Sequence, residues 1–418
     1  MTMICRLAAC GSVAVLLAAA GLLAEDGSPG GNWPQFHGPS RDNMSAERGL
    51  LKQWPEGGPR LAWRFSECGD GYSGVAVAGG RIFTAGDFGE KEMLIALDLE
   101  GKVVWKTPNG ESWRGEMPGA RTTPTYSDGT IYHMNPVGRL AAFEAASGQE
   151  RWAVDLKAEF GVKLATWALS ENVIVDGQAV LCAPGGAKGR IVALDKTTGG
   201  RLWVNTEIAD GPAYCSPLVV THNGVRQLIT LMQKSVVSVD VATGKLLWKF
   251  KHETKNDQNV TMPIFKDGCV LASSGHGTGS RLLKLGAEPG QVTEMWLNKD
   301  LDNCHGGVIL AGGRLFGSGC RMFGKGLVGV DFLSGKTLWN EKALGKVSLT
   351  YADHMLYCIN TDKGRMSLAE AGGERCRVVS QFDVPKGSAG LWLAHPVISG
   401  GRLYVRHGGD LFAYDIRG

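Results

Sequence analysis

Ala193-Leu194-Asp195-Lys196-Thr197-Thr198-Gly199-Gly200-Arg201-Leu202-Trp203 reads as the end of one strand, a tight turn and the start of the next strand. The apolar run stops at Asp195, whose short carboxylate can accept hydrogen bonds from the turn backbone. Thr198-Gly199 supplies the positive-φ position that a tight hairpin needs, and the following strand carries Trp203 inward. The same frame recurs at Phe143-Glu144 with Gly148 and Trp152, at Val239-Asp240 with Gly244 and Trp248, and at Val330-Asp331 with Gly335 and Trp339. In each, an acid is followed four residues later by Gly and eight residues later by Trp. Asp98, Gly101 and Trp105 form the unit shortened by one residue. Leu285-Gly286 with Gly290 and Trp296 is a degenerate copy that lacks the acid.

Trp63, Trp105, Trp152, Trp203, Trp248, Trp296 and Trp339 recur every 42 to 51 residues, and an eighth position falls at Val379 to Phe382, where Trp is missing. Two more apolar strands lie between successive Trp, such as Ser216 to Val220 with Leu228 to Met232, or Gly306 to Leu310 with Leu315 to Ser318. Four short strands per repeat, with one large indole to fill each wedge-shaped interface, predict an all-β fold. The expected architecture is an eight-bladed β-propeller of four-stranded antiparallel blades. Leu411-Phe412-Ala413-Tyr414-Asp415 is a strand that should precede a Trp strand, and Leu61-Ala62-Trp63-Arg64-Phe65 is a Trp strand with no strand before it. The N- and C-terminal strands are therefore expected to share one blade, which removes free sheet edges. Pro124, Pro217, Pro263 and Pro396 are expected in the middle of the first strand after a Trp. Pro cannot donate to a ladder, so these strands are assigned to the inner edge that faces the channel.

The 60 glycines of this 418-residue chain show no Gly-X-Y period and mark turns between strands. A formal net charge of +3 without a Lys/Arg run gives no argument for nucleic acid. Residues 1–24 read as a signal peptide: Arg6 supplies the positive region, Leu7 to Leu23 the apolar stretch, and Ala24 or Ala20 the cleavage point. Leu7-Ala8-Ala9-Cys10 has lipobox lettering, but the apolar region follows the Cys, so lipidation is not expected. Residues 25–60 are expected to form a Pro/Gly-rich strap packing on the propeller of residues 61–418, its aromatics plugging the propeller surface. Export to the periplasm or cell envelope follows, with no transmembrane segment in the mature chain. Cys5 and Cys10 leave with the leader. Cys68, Cys182, Cys215, Cys269, Cys304, Cys320, Cys358 and Cys376 include no CxxC, and most sit in apolar runs that suit buried thiols. Cys304 with Cys320 is the first pair to test for a disulfide, since their separation spans one hairpin.

The unit Ala193-Leu194-Asp195, Thr198-Gly199, Trp203 resembles the tryptophan-docking repeat of the PQQ-like β-propeller superfamily, over residues 61 to 418. That superfamily holds quinoprotein alcohol dehydrogenases and also the non-enzymatic outer-membrane assembly lipoprotein BamB. Asn32-Trp33-Pro34-Gln35-Phe36-His37-Gly38-Pro39-Ser40-Arg41 is similar to the N-terminal signature of secreted planctomycete-type PQQ-repeat proteins. The enzymatic branch implies PQQ held between a Trp floor and a disulfide of adjacent cysteines, with Ca²⁺ on carboxylate and amide ligands and an Asp base. The sequence lacks a Cys-Cys dipeptide and the long inserted loops of those enzymes. The expectation is a protein that is not an enzyme and needs no cofactor, with a PQQ- and Ca²⁺-dependent alcohol or sugar dehydrogenase as the alternative.

Any ligand site belongs at the channel mouth, where loop ends converge. Tyr72, Arg121, Thr122, Trp167, Tyr214, Asn259, His276, His305, Trp392 and His395 stand just before or at the start of inner strands. Arg121 suits an anion, and Trp167 or Trp392 a planar ring. His276, His305 and His395 come from three blades and are read as wall residues, so no metal is expected. Gly275-His276-Gly277-Thr278-Gly279 reads as a hairpin, since no helix follows it to make a phosphate loop. The favoured role is a monomeric binding or scaffold propeller taking a protein or extended polymer on the mouth or loop face. A polysaccharide-binding module, suggested only by Trp167 and Trp392, ranks last.

Overall fold

The computed structural model describes residues 31–418 except 256–257, 289, 321–325, 371, 373 and 389, so the signal peptide expected at residues 1–24 lies outside the described residues. Eight separate antiparallel sheets carry the chain around a ring. Blades 1 to 7 span residues 76–111, 125–155, 174–205, 218–251, 264–298, 308–341 and 347–383. Blade 8 consists of Val397–Ser399, Arg402–His407 and Asp410–Asp415, completed by Leu61–Phe65 from the other end of the chain. Leu61 pairs with Tyr414 and Phe65 with Leu411, so the two ends share one blade as expected. Buried Arg406 ties the seam to blade 1, donating to the carbonyls of Ser73 at 3.0 Å, Cys68 at 3.3 Å and Gly69 at 3.2 Å. No helix among the described residues is long and apolar enough to cross a membrane.

The core is divided into eight apolar clusters, each shared by two neighbouring blades. The repeat explains how neighbours lock. Asp195 Oδ1 accepts from the backbone N–H of Thr197 at 3.0 Å and of Thr198 at 2.8 Å, and from the Thr198 hydroxyl at 3.0 Å. That closed turn places Gly199 at φ +72°, where an added Cβ would stand 2.7 Å from the Trp152 ring of the preceding blade. The Trp152 indole N–H donates at 2.9 Å to the carbonyl of Lys196, the residue after the turn acid. Trp63, Trp105, Trp203 and Trp296 donate in the same way to Leu99, Ala145, Val241 and Phe332. A register shift beside each Trp in the outer strand pair pushes the preceding residue outward and aims the indole at the next blade. Leu202, the residue displaced beside Trp203, is 51% exposed.

Two features depart from expectation. Pro124, Pro217, Pro263 and Pro396 stand one residue before the inner strands Thr125–Ser127, Leu218–His222, Ile264–Lys266 and Val397–Ser399, not in their middle. A residue without an N–H fits the last position before the ladder begins, so Pro marks the start of the channel wall. The strap also goes deeper than the surface. Trp33 exchanges backbone hydrogen bonds with Val77 of blade 1, and Pro34 accepts from Tyr126 N–H of blade 2. Arg41 donates to the carbonyls of Asn172 and Val173 at the entrance to blade 3. Met44–Ser45 then adds a parallel fifth strand to the inner edge of blade 7. The strap is a plug inside the channel, and its tip turns through His37, Arg41 and Asn43, all at positive φ.

The missing eighth Trp has a local cause. Ser380 occupies its place opposite Leu368, and the next blade's outer turn is here the junction of two chain ends. With no Gly turn to dock on, the site is filled by the strap: the Trp54 backbone N–H donates to Ser380 Oγ at 3.0 Å, and its ring meets Phe382 edge-on at 5.2 Å.

Gly199→Ala should cost about 2–4 kcal/mol, because it combines positive φ with a clash against a buried ring. Gly89→Ala, at φ +59° with nothing near the added Cβ, should cost only about 1 kcal/mol. Urea midpoints of the two variants test this, and equal losses would show that the glycine is not kept for the indole.

Candidate functional site

Successive strands of a blade alternate direction, so the Asp-Gly turns lie on one face and the loops leading into the inner strands on the other. On that second face a cavity of about 400 Å³ enters the channel, and all eight of those loops line it. Its floor is the strap, through Trp33, Phe36, His37 and Asn43. Of the residues singled out from sequence, Tyr72, Arg121, Trp167, Tyr214, His276, His305 and His395 line this cavity.

Thr122, Asn259 and Trp392 do not line it, and each is used elsewhere. Thr122 Oγ1 donates to the Met134 carbonyl at 2.6 Å. Buried Asn259 bonds the Met232 carbonyl at 2.8 Å and the Ser274 hydroxyl at 2.7 Å. Trp392 packs on Gly364 in the turn of blade 7 and stacks on His407 with centroids 3.9 Å apart. It serves as a docking indole reached from outside the repeat. Lys346, Cys304 and Cys320 line the cavity without having been proposed as ligand residues. Lys346 immediately precedes the inner strand Val347–Ala352, so the positional rule that found His395 would have reached it; no Pro marks that strand.

The lining divides into an aromatic-cationic side and a histidine-thiol side. On the first, Trp167 and Tyr214 meet edge to face at 5.7 Å. Arg121 is fastened by its Nη2 to the carbonyls of Glu116 and Met117, while its Nε is buried without a partner. Burial lowers the Arg121 pKa to about 10, which leaves it charged at neutral pH. Lys346 Nζ lies 2.7 Å from His305 Nε2. An ammonium only donates, so His305 accepts there and is neutral; burial first, then Lys346, holds its pKa well below the usual value. No Asp or Glu is among the described residues that line the cavity.

His395 Nε2 is 2.8 Å from the His305 carbonyl and must donate to it. Its Nδ1 then accepts from Asn43 at 3.3 Å and His37 Nε2 at 3.1 Å. This chain of neutral imidazoles joins the strap tip to the cavity wall. Next to it, His276 Nε2 is 3.7 Å from Cys304 Sγ, and His276 Nδ1 is 4.0 Å from Cys320 Sγ. No disulfide joins Cys304 to Cys320: all eight described cysteines are buried thiols. The hydrogen bond with Cys320, and then burial, push the Cys304 thiol far up.

Compared with known proteins, residues 90–341 match a family model described as outer membrane protein assembly factor BamB, and the chain belongs to that family. The chain is 32% identical over 143 residues to quinohemoprotein alcohol dehydrogenase ADH IIB of Pseudomonas putida, a match covering 32% of this chain and 20% of that protein. It is 26% identical over 219 residues to BamB of Nitrosomonas eutropha, covering 49% and 47%. The chain thus spans no more than about half the length of these two relatives. Among solved structures, BamB from Moraxella catarrhalis superposes with TM-score 0.61 at 14% identity, covering 86% of this chain and all of that one. Quinohemoprotein alcohol dehydrogenase from Comamonas testosteroni gives TM-score 0.66 at 14% identity, covering 93% and 81%. At such identities the structures show the shared propeller fold.

Burial pushes His395 down to about 4 and His37 well below its usual value, while both would titrate near 6.5 in an unfolded chain. Stability is therefore complete above pH ~6.5 and falls as the pH drops towards 4, by up to roughly 3 kcal/mol from His395. Thermal midpoints between pH 7.5 and 4.5 should show this fall, and His395→Gln should flatten it.

Proposed function

We propose that this member of the BamB family is an exported, non-catalytic binding propeller whose channel mouth takes an acidic segment of a protein or extended polymer. One observation carries the reading. The mouth offers Arg121 beside Tyr72 and Tyr214, and Lys346 on the histidine side, with no carboxylate among its described lining residues. Such a surface favours carboxylate or phosphate groups, bonded by the guanidinium and packed against Trp167 and Tyr214. The blind floor made by the strap suits a group that enters and stops, such as a side chain or the end of a strand, held by a partner resting on the loop face. That a BamB family model matches the chain is consistent with a binding role.

A second reading, a divergent PQQ-dependent dehydrogenase of alcohols or sugars, draws on the quinohemoprotein relative. The donor set argues against its metal. Ca²⁺ takes six to eight oxygen ligands, largely carboxylates, and the described lining supplies amide and hydroxyl oxygens but no carboxylate. An Asp base is missing from the same surface.

Binding of a poly-glutamate peptide, measured by calorimetry, should weaken about tenfold or more in Arg121→Ala and fall with added salt, while poly-lysine should not bind. Dye reduction with an alcohol after addition of PQQ and Ca²⁺ would favour the enzymatic reading. Equal, weak affinity for both polymers would remove the acidic-ligand reading.

A further inference from the structure

We infer that His276, Cys304 and Cys320 form a Zn²⁺ site whose fourth coordination position opens into the channel mouth. The donor atoms of the three side chains all lie within 4.8 Å of one another, and all three residues line the cavity. They come from neighbouring blades: His276 from the tip of the second hairpin of blade 5, Cys304 from the loop into blade 6, and Cys320 from two residues past the strand Arg314–Ser318. In tetrahedral zinc coordination, Zn–S of ~2.3 Å and Zn–N of ~2.0 Å place sulfur and nitrogen ~3.6 Å apart. The observed 3.7 Å from Cys304 Sγ to His276 Nε2 is already that edge. With all donor atoms within 4.8 Å of one another, the remaining edges close by movements of about 1 Å or less.

The backbone is built for this approach. His276 holds φ 59°, an uncommon conformation for a residue with a side chain, between Gly275 and Gly277. A Cβ at Gly275 would come within 3.2 Å of Cys304 Cβ and Sγ, so glycine there lets the two loops approach without crowding. Charge balance also favours the ion: two thiolates and one imidazole around Zn²⁺ give a neutral buried cluster. Binding transfers the thiol protons to solvent, up to two per ion, with no change of oxidation state. Three protein ligands leave one position for water or a ligand's own oxygen, as in zinc sites that act on what they bind. An acidic group entering the mouth would reach it, although the site itself does not depend on that ligand.

The test uses full-length protein, reduced and stripped with a chelator, and titrated with Zn²⁺ alone or with Co²⁺ as a spectroscopic surrogate. The expected result is one ion per chain, a near-ultraviolet sulfur-to-cobalt band of two-thiolate intensity, and a thermal midpoint raised by Zn²⁺. Cys304→Ser and Cys320→Ser should each roughly halve or abolish that band, and His276→Gln should weaken Zn²⁺ binding tenfold or more. Cys215→Ser, a buried thiol outside the cluster, should leave all three readouts unchanged. If a cluster variant fails to fold, the two-thiolate intensity of the unaltered protein still decides. A cobalt spectrum without the sulfur band, or a Cys304–Cys320 disulfide mapped in protein isolated under air-free conditions, would overturn the assignment. Loss of poly-glutamate binding with an intact cobalt spectrum would count against the binding role alone.

Discussion

The contact on which the whole ring depends is an indole lying over the glycine of the next blade's turn, with its N–H on the carbonyl after the turn acid. Each part of the repeat serves it. The acid closes the turn, the glycine removes the Cβ that would meet the ring, and the bulge beside the Trp aims the indole across the gap. A Trp buries about 150–250 Å², and its hydrogen bond adds about 1 kcal/mol. Made by Trp63, Trp105, Trp152, Trp203 and Trp296 in a ring that has no common core, this contact sets the spacing between those blades.

Where the contact fails, the structure compensates in ways that bear on the site. The blade made from two chain ends has no turn to receive an indole, so Ser380 replaces Trp and Trp54 of the strap fills the gap. The same strap continues into the channel and becomes the floor of the mouth. Sealing the ring and shaping the cavity are thus consequences of one N-terminal segment.

The ring was legible because repetition writes one local signal many times, so degenerate copies such as the one ending in Trp296 could be aligned with the clear ones. The channel wall was legible from Pro124, Pro217, Pro263 and Pro396, with an error of position only. The site was harder to read. Arg121, Trp167 and Tyr214 were reached by their place before inner strands, but the same rule brought in Thr122, Asn259 and Trp392, whose side chains turn to hydrogen bonds or to Gly364. The cluster of His276 with Cys304 and Cys320 has no local signature, because its members are 28 and 44 residues apart and meet only when neighbouring blades stack. The depth of the strap was equally hidden, since Phe36 and His37 show no periodicity to reveal what they face.

The shared blade also sets an order of events. Arg64 and Asp410, ion-paired at 2.8 Å across the seam, are 346 residues apart. During synthesis the strand Leu61–Phe65 is made early and waits for Asp410–Asp415, the last strand of the ring. Blades 1 to 7 can stack in sequence meanwhile, each on the one before it, but the seam closes last and carries most of the loop-closure entropy. Without that seam the ring is open, with strand edges left unpaired on both sides of the gap. The strap bridges the same seam, pairing with blade 7 through Met44–Ser45 and bonding blade 8 through Leu51, so the N-terminal segment holds the closure from a second side.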